Sequence, residues 1–139
     1  MSEIVIDASV ALAWCFKDER TAVTAELLER VQTDLAAVPI LWHLEIANVL
    51  ALAERRGRIT SAESAELIAL LETLEIAVDE ESPSRAFGRV LDLARSERLT
   101  AYDAAYLDLA MRLGAPLASK DRDLCNAAER VGVKVLRAA

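Results

Sequence analysis

The side chains able to do chemistry in this sequence are overwhelmingly carboxylates. Among 139 residues there are 23 Asp or Glu against 16 Lys or Arg, for a formal net charge of −7, with one histidine, His43, and two cysteines, Cys15 and Cys125. A single histidine excludes a two-histidine zinc motif and forces any Ser-His-Asp or Cys-His site onto His43 alone. Cys15 and Cys125 stand far apart in apolar surroundings and read as small core residues of a reducing compartment. The four glycines, Gly57, Gly88, Gly114 and Gly132, are too scattered for a dinucleotide fingerprint or a phosphate-binding loop.

Four acids stand out by their positions. Asp7 ends a short β-branched run, Asp121 follows a short strand by two residues, Asp103 lies in the first turn of a helix opened by Thr100, and Glu45 sits one turn into a long apolar helix. Each aspartate has an ordinary structural use: Asp7 and Asp121 as helix caps, Asp103 as an acid favoured near a helix N-terminus. Glu45 has no such excuse. Its helical neighbours Leu41, Trp42, Asn48 and Val49 include no cation, so its charge is expensive unless a donor or an ion meets it; Asn48 on the same face is one candidate donor, and a polar group buried in an interface is the alternative use.

If these four acids converge they repel one another and their pKa values rise, unless a divalent cation neutralises them. Oxygen ligands without His or Cys suit Mg2+ or Mn2+, which keep bound waters and engage phosphate oxygens. Such a cation lowers the pKa of a bound water and stabilises charge on phosphoryl oxygens, which makes phosphodiester hydrolysis the chemistry best served. Asp108, five residues and about 140° around the helix from Asp103, is expected to face elsewhere. Asp123 is an accessory candidate whose first use is to cap a helix.

The elements that must position these groups alternate along the chain. Strands are expected at 3–7, 35–40, 75–78, 116–119 and 133–136, and helices at 8–16, 24–32, 41–56, from a Thr60–Glu63 capping box through Leu74, at 84–98, 100–114 and 123–131. Gly57 supplies the left-handed stop after the long helix. This alternation predicts an α/β domain with a mainly parallel, roughly five-stranded sheet covered on both faces, formed by residues 1–139 as one domain. Functional groups then belong at the carboxyl ends of the strands, where adjacent placement of the first and fourth strands would put Asp7 and Asp121 in the same crevice. No apolar run approaches the ~20 residues of a membrane span and no basic leader opens the chain, so a cytoplasmic location is expected. The aromatic residues Trp14, Phe16, Trp42, Phe87, Tyr102 and Tyr106 lie in apolar helical patterns and are assigned to the core or a dimer interface.

Four stretches, in order, resemble the PIN-domain ribonucleases, and within them the VapC-type toxins of toxin-antitoxin modules. They are Ile4-Val5-Ile6-Asp7-Ala8-Ser9, Glu45-Ile46-Ala47-Asn48-Val49-Leu50, Leu99-Thr100-Ala101-Tyr102-Asp103-Ala104-Ala105-Tyr106 and Leu117-Ala118-Ser119-Lys120-Asp121-Arg122-Asp123-Leu124. The resemblance implies a three-layer α/β/α fold and a Mg2+- or Mn2+-dependent endoribonuclease. Its acids would be Asp7, Glu45, Asp103 and Asp121, with Asp7, Asp103 and Asp121 holding the metal and Glu45 acting as ligand or base. Ser9, Asn48, Thr100 and Ser119 match supporting polar positions. A cognate antitoxin, an RNA substrate and a homodimer are the implied partners. Two rivals are a receiver-like phosphoacceptor domain, with Asp79 as acceptor and Lys120 as its partner, and a catalytically silent PIN-like module that binds protein only.

Overall fold

In a computed structural model, residues 3–139 are described, apart from the side chain of Ser82. Five strands, β1 (Glu3–Ile6), β2 (Leu35–Pro39), β3 (Ile76–Asp79), β4 (Leu117–Ser119) and β5 (Val135–Arg137), form one parallel sheet in the order β3-β2-β1-β4-β5. The helices are α1 (Ala8–Cys15), α2 (Ala22–Thr33), α3 (Trp42–Arg55), α4 (Ser61–Glu72), α5 (Ser82–Arg85), α6 (Leu91–Glu97), α7 (Ala101–Leu113) and α8 (Arg122–Arg130), with a 3-10 turn at Lys17–Glu19 and a π turn at Ala86–Val90 joining α5 to α6. The chain steps from β1 out to β3 and then crosses back to β4 and β5. Right-handed crossovers therefore lay α1–α4 on one face and α5–α8 on the other, the three-layer α/β/α arrangement expected.

The central strands are apolar without alternation because both faces are covered. Ile4, Val5, Ile6, Val38 and Leu117 are fully buried, each contributing about 1.5–3 kcal/mol by leaving water. Helix α7 packs across β1, β2 and β4, and its Leu107, Leu109 and Tyr106 join the same core. Pairing fixes the register of the site: Val5 lies opposite Leu117 and Ile6 opposite Ala118, so Asp7 leaves β1 beside Ser119 of β4. The chain reverses direction across the sheet between these two strands, and a crevice opens at such a point.

Helix ends follow local chemistry. Gly57 has φ 70° just past the Arg56 cap of α3, and the Arg58 N–H closes the helix by donating to the Ala53 carbonyl at 2.9 Å. The Thr60–Glu63 capping box opens α4 as expected, and a second box, Thr21 with Thr24, opens α2 two residues earlier than the apolar spacing indicates. The last strand starts at Val135 instead of Val133. Gly132 at φ 83° and the Val133 N–H, donated to the Ala128 carbonyl, are spent on ending α8.

The expected helix 84–98 needs a larger correction. Its stripe of Phe87, Val90, Leu91 and Ala94 assumes 3.6 residues per turn, whereas the π turn at Ala86–Val90 inserts an extra residue. Val90 and Leu93 are buried and Phe87 is turned out, 94% exposed. Tyr102 is exposed as well, so neither residue belongs to this chain's core, while Trp14, Phe16, Trp42 and Tyr106 do. Cys125 is buried and Cys15 half-buried, both as free thiols.

Candidate active site

In a parallel sheet the helices run against the strands, so their N-termini gather at the strands' carboxyl ends. Asp7 caps α1, Asp121 caps α8, and Glu45 and Asp103 lie in the first turns of α3 and α7. The structural uses of the aspartates and their convergence are thus the same fact. Each helix N-terminus offers its acid partial positive charge, which supports the carboxylate without neutralising it.

Asp7 is buried and heavily held. Its Oδ1 accepts from Ser9 Oγ at 2.5 Å and from the Val10 N–H at 3.3 Å, and its Oδ2 accepts from Ser119 Oγ. Burial still pushes its pKa up, the three donors notwithstanding, and the charge of Asp121 adds to the rise. Ser119 and Ser9 link the two strands a second time. Ser119 Oγ accepts from the Asp121 N–H at 2.9 Å, and Ser9 Oγ accepts from the Lys120 N–H at 3.0 Å. Asp121 in turn takes the Leu124 N–H on its Oδ1 at 3.0 Å, with its side chain otherwise open to solvent.

Asp103 presents the opposite picture. Thr100 Oγ1 accepts from its backbone N–H at 3.1 Å, as expected for an N-cap, but among the described residues its carboxylate has no hydrogen-bond or ion-pair partner. Burial raises its pKa to about 6, reinforced by the charges of Asp121, Asp7, Glu45 and Asp123. Those influences place the four predicted acids in one electrostatic neighbourhood. Asp123 contributes the weakest of them from an exposed position, beside Arg122 at 3.9 Å.

Glu45 is half-buried, and its pKa is raised by burial and by Asp7 against a hydrogen bond that lowers it. The donor of that bond is not Asn48. Asn48 is exposed on α3 and, among the described residues, without a hydrogen-bond partner, whereas the Tyr106 hydroxyl donates to Glu45 Oε1 at 2.5 Å. Tyr106 stands three residues after Asp103 on the same face of α7, a spacing visible in the sequence but masked there by an apolar pattern that reads as core.

Neighbouring charges sort themselves away from this crevice. Lys120, which follows β4, pairs with Glu19 at 3.1 Å, and Asp79 at the end of β3 accepts from Arg112 at 2.6 Å. Both groups that a phosphoacceptor reading requires are thereby engaged elsewhere, and β2 separates Asp79 from Asp7's strand. Asp108 faces away from Asp103, as its angular offset requires, and is taken up by Arg85 and Arg112.

Among the described residues, no three or more His, Cys, Asp or Glu side chains stand ready-made around one ion position. The chemistry of the donor set nonetheless suits a hard divalent cation. It is all oxygen, and the strongest influences on Asp7, Glu45 and Asp103 include burial and the charge of at least one other acid of the set but no basic side chain.

Comparison with known proteins places the chain in a family. The family described as PIN domain matches residues 4–130. Ribonuclease VapC3 of Pyrobaculum aerophilum is 30% identical over 126 residues, covering 88% of this chain and 92% of that protein. The crystal structure of PAE2754 from the same organism superimposes with a TM-score of 0.72 at 26% identity, over 97% of this chain and 84% of that one. VapBC2 of Rickettsia felis, solved bound to a DNA fragment from its promoter, shares the fold with a TM-score of 0.68 at 12% identity, over 96% of both chains. The chain belongs to the PIN-domain family.

Proposed function

We propose that this chain is a divalent-metal-dependent endoribonuclease and the toxin of a toxin-antitoxin module, acting in the cytoplasm as a single domain. The observation that carries the reading is the state of Asp103: a half-buried carboxylate without a hydrogen-bond or ion-pair partner among the described residues, raised to about 6 by burial and by the charges of Asp121, Asp7, Glu45 and Asp123. Its relative of 30% identity is a ribonuclease, which supports the same conclusion.

In this reading Asp7, Asp103 and Asp121 hold Mg2+ or Mn2+. When bound, the cation supplies a water of lowered pKa and stabilises charge on the phosphoryl oxygens. Ser9 and Ser119 fix the Asp7 carboxylate from both sides, leaving it one orientation. Thr100 fixes the start of α7 and with it Asp103. Glu45 serves as a further ligand or as the base that orients and deprotonates the attacking water. Asn48 and Asp123, exposed at the margin, line the approach of the RNA. Assembly as a homodimer and silencing by an antitoxin belong to the same proposal, and a surface of net charge −7 favours a basic antitoxin segment.

The test is cleavage of a mixed-sequence RNA by the wild type in Mn2+, in EDTA, and by Asp7→Asn and Asp103→Asn, with the exposed Asp92→Asn as control. Metal-dependent cleavage lost at positions 7 and 103 and kept at 92 is expected. Cleavage that survives EDTA and both substitutions contradicts the metal site, and its absence from the wild type contradicts the nuclease.

A further inference from the structure

The hydroxyl of Tyr106 is an expensive group to have where it is. Its residue is 1% exposed, and the ring lies in the same core as Leu107 and Leu109, where a phenylalanine would pack equally well. A buried hydroxyl costs stability unless it is bonded. Its bond goes to Glu45 Oε1, across from α7 to α3 over 61 residues of chain, and it is short, 2.5 Å. Burial, the bond itself and the Glu45 charge all hold the Tyr106 proton firmly on its oxygen, so the hydroxyl acts as a fixed donor.

That geometry has a consequence for Glu45. With Oε1 occupied, Oε2 is the carboxylate oxygen left without a partner among the described residues. The same helix face carries Asp103 one turn earlier, so α7 supplies both an acid of the crevice and the group that aims another. We propose that Tyr106 is a positioning residue that locks Glu45 with a single oxygen directed to the reaction. The assignment rests on the ribonuclease reading for what Glu45 does, but not for which group holds it. Groups that orient a ligand or base commonly matter about 10- to 100-fold to affinity or rate.

The test is a double-substitution cycle of Tyr106→Phe with Glu45→Gln in the full chain. Three quantities are read: thermal unfolding without metal, Mn2+ binding by calorimetry, and kcat and KM on an unstructured RNA. Tyr106→Phe keeps the ring, and its melting temperature is expected to stay within about 3 °C of the wild type. Its kcat is expected to fall about 10- to 100-fold with KM within about twofold, and its Mn2+ affinity to fall about threefold. Added to Glu45→Gln, Tyr106→Phe is expected to change neither quantity by more than about twofold, because the group it positions is already gone.

Losses that multiply independently in the double variant, or a Tyr106→Phe protein with unaltered kcat and Mn2+ affinity, overturn the proposal and reduce the hydroxyl to a filler of a half-buried acid's bonding needs. If the wild type cuts no RNA, the ribonuclease reading fails alone. The Mn2+ arm of the cycle then still decides whether Tyr106 acts through Glu45.

Discussion

Helix α7 carries two aspartates five residues apart that live in opposite electrostatic worlds. Asp108 is 2% exposed, yet its pKa lies below the ordinary carboxylate value: burial pushes it up, and the guanidinium groups of Arg85, at 2.7 and 2.8 Å, and Arg112, at 3.1 Å, outweigh that. Arg112 goes on to Asp79 and Glu81, tying the end of β3 to α7. Asp103 is less buried and has no cation beside it among the described residues, and its pKa rises to about 6. The two clusters use the same residue type on the same scaffold. In one the protein supplies its own countercharge, which is how a buried acid serves a fold. In the other it supplies further acids, and on the proposed reading the countercharge comes from outside as a divalent cation.

The largest expected effect separates the clusters by activity. Asp103→Asn or Asp7→Asn is expected to cut RNA cleavage about 10^3-fold, equivalent to ~4 kcal/mol of transition-state stabilisation, in a chain that still folds. Single-turnover cleavage at saturating enzyme measures this directly. Arg112→Ala is the converse experiment. It removes the short ion pair to Asp79 and one of the two guanidinium groups on Asp108, and a loss of about 3 kcal/mol in urea unfolding is expected, because a largely buried ion-pair network loses its central cation.

The pH response should also have opposite signs. Asp103 has a raised folded pKa, so its charge opposes folding. The penalty is absent below the ordinary value of 3.8, grows as pH rises toward about 6 and is complete above it. In EDTA, Asp103→Asn is therefore expected to stabilise the protein at pH 7.5 by about 1 kcal/mol, after discounting for solvent screening, and to lose that gain by pH 4. Asp108 has a lowered folded pKa and contributes stability above the ordinary carboxylate value, lost only as pH falls through the folded value. Urea midpoints across pH for wild type and Asp103→Asn read both limbs.

The smallest effect concerns the scaffold of the crevice. Thr100→Ala removes the hydroxyl that accepts from the Asp103 N–H and is expected to cost about 1 kcal/mol of stability by thermal unfolding, with the proposed metal ligands all still present.

What could be read from the sequence follows the range over which each interaction acts. Asp7 and Asp121 were legible because strand ends in a parallel sheet have a fixed address, and parallel pairing of β1 with β4 does the rest. Gly57 and the Thr60–Glu63 box were legible because they act within six residues. The partner of Glu45 was not: Asn48 was the local candidate, and the group that meets it lies 61 residues away on another helix. Tyr106 looked like core because it is core, and only its oxygen does anything else. The π turn is invisible to a 3.6-residue template, which is why the spacing alone puts Phe87 on the stripe of Val90, Leu91 and Ala94 while it stands outside the core. The Arg85–Asp108 pair spans 23 residues with no periodic signal to announce it.

The central claim is that the uncompensated cluster awaits a divalent cation, and it can be met without knowing the RNA target. A ligand that binds only the folded state must stabilise it, by about 2.7 kcal/mol at one hundred times its dissociation constant. The measurement is thermal stability against Mn2+ concentration for the wild type, for Asp103→Asn and for Arg112→Ala. Stabilisation of the wild type and of Arg112→Ala, with most of it lost in Asp103→Asn, is the predicted result. A wild type indifferent to Mn2+, or an Asp103→Asn protein that responds as fully as the wild type, contradicts it.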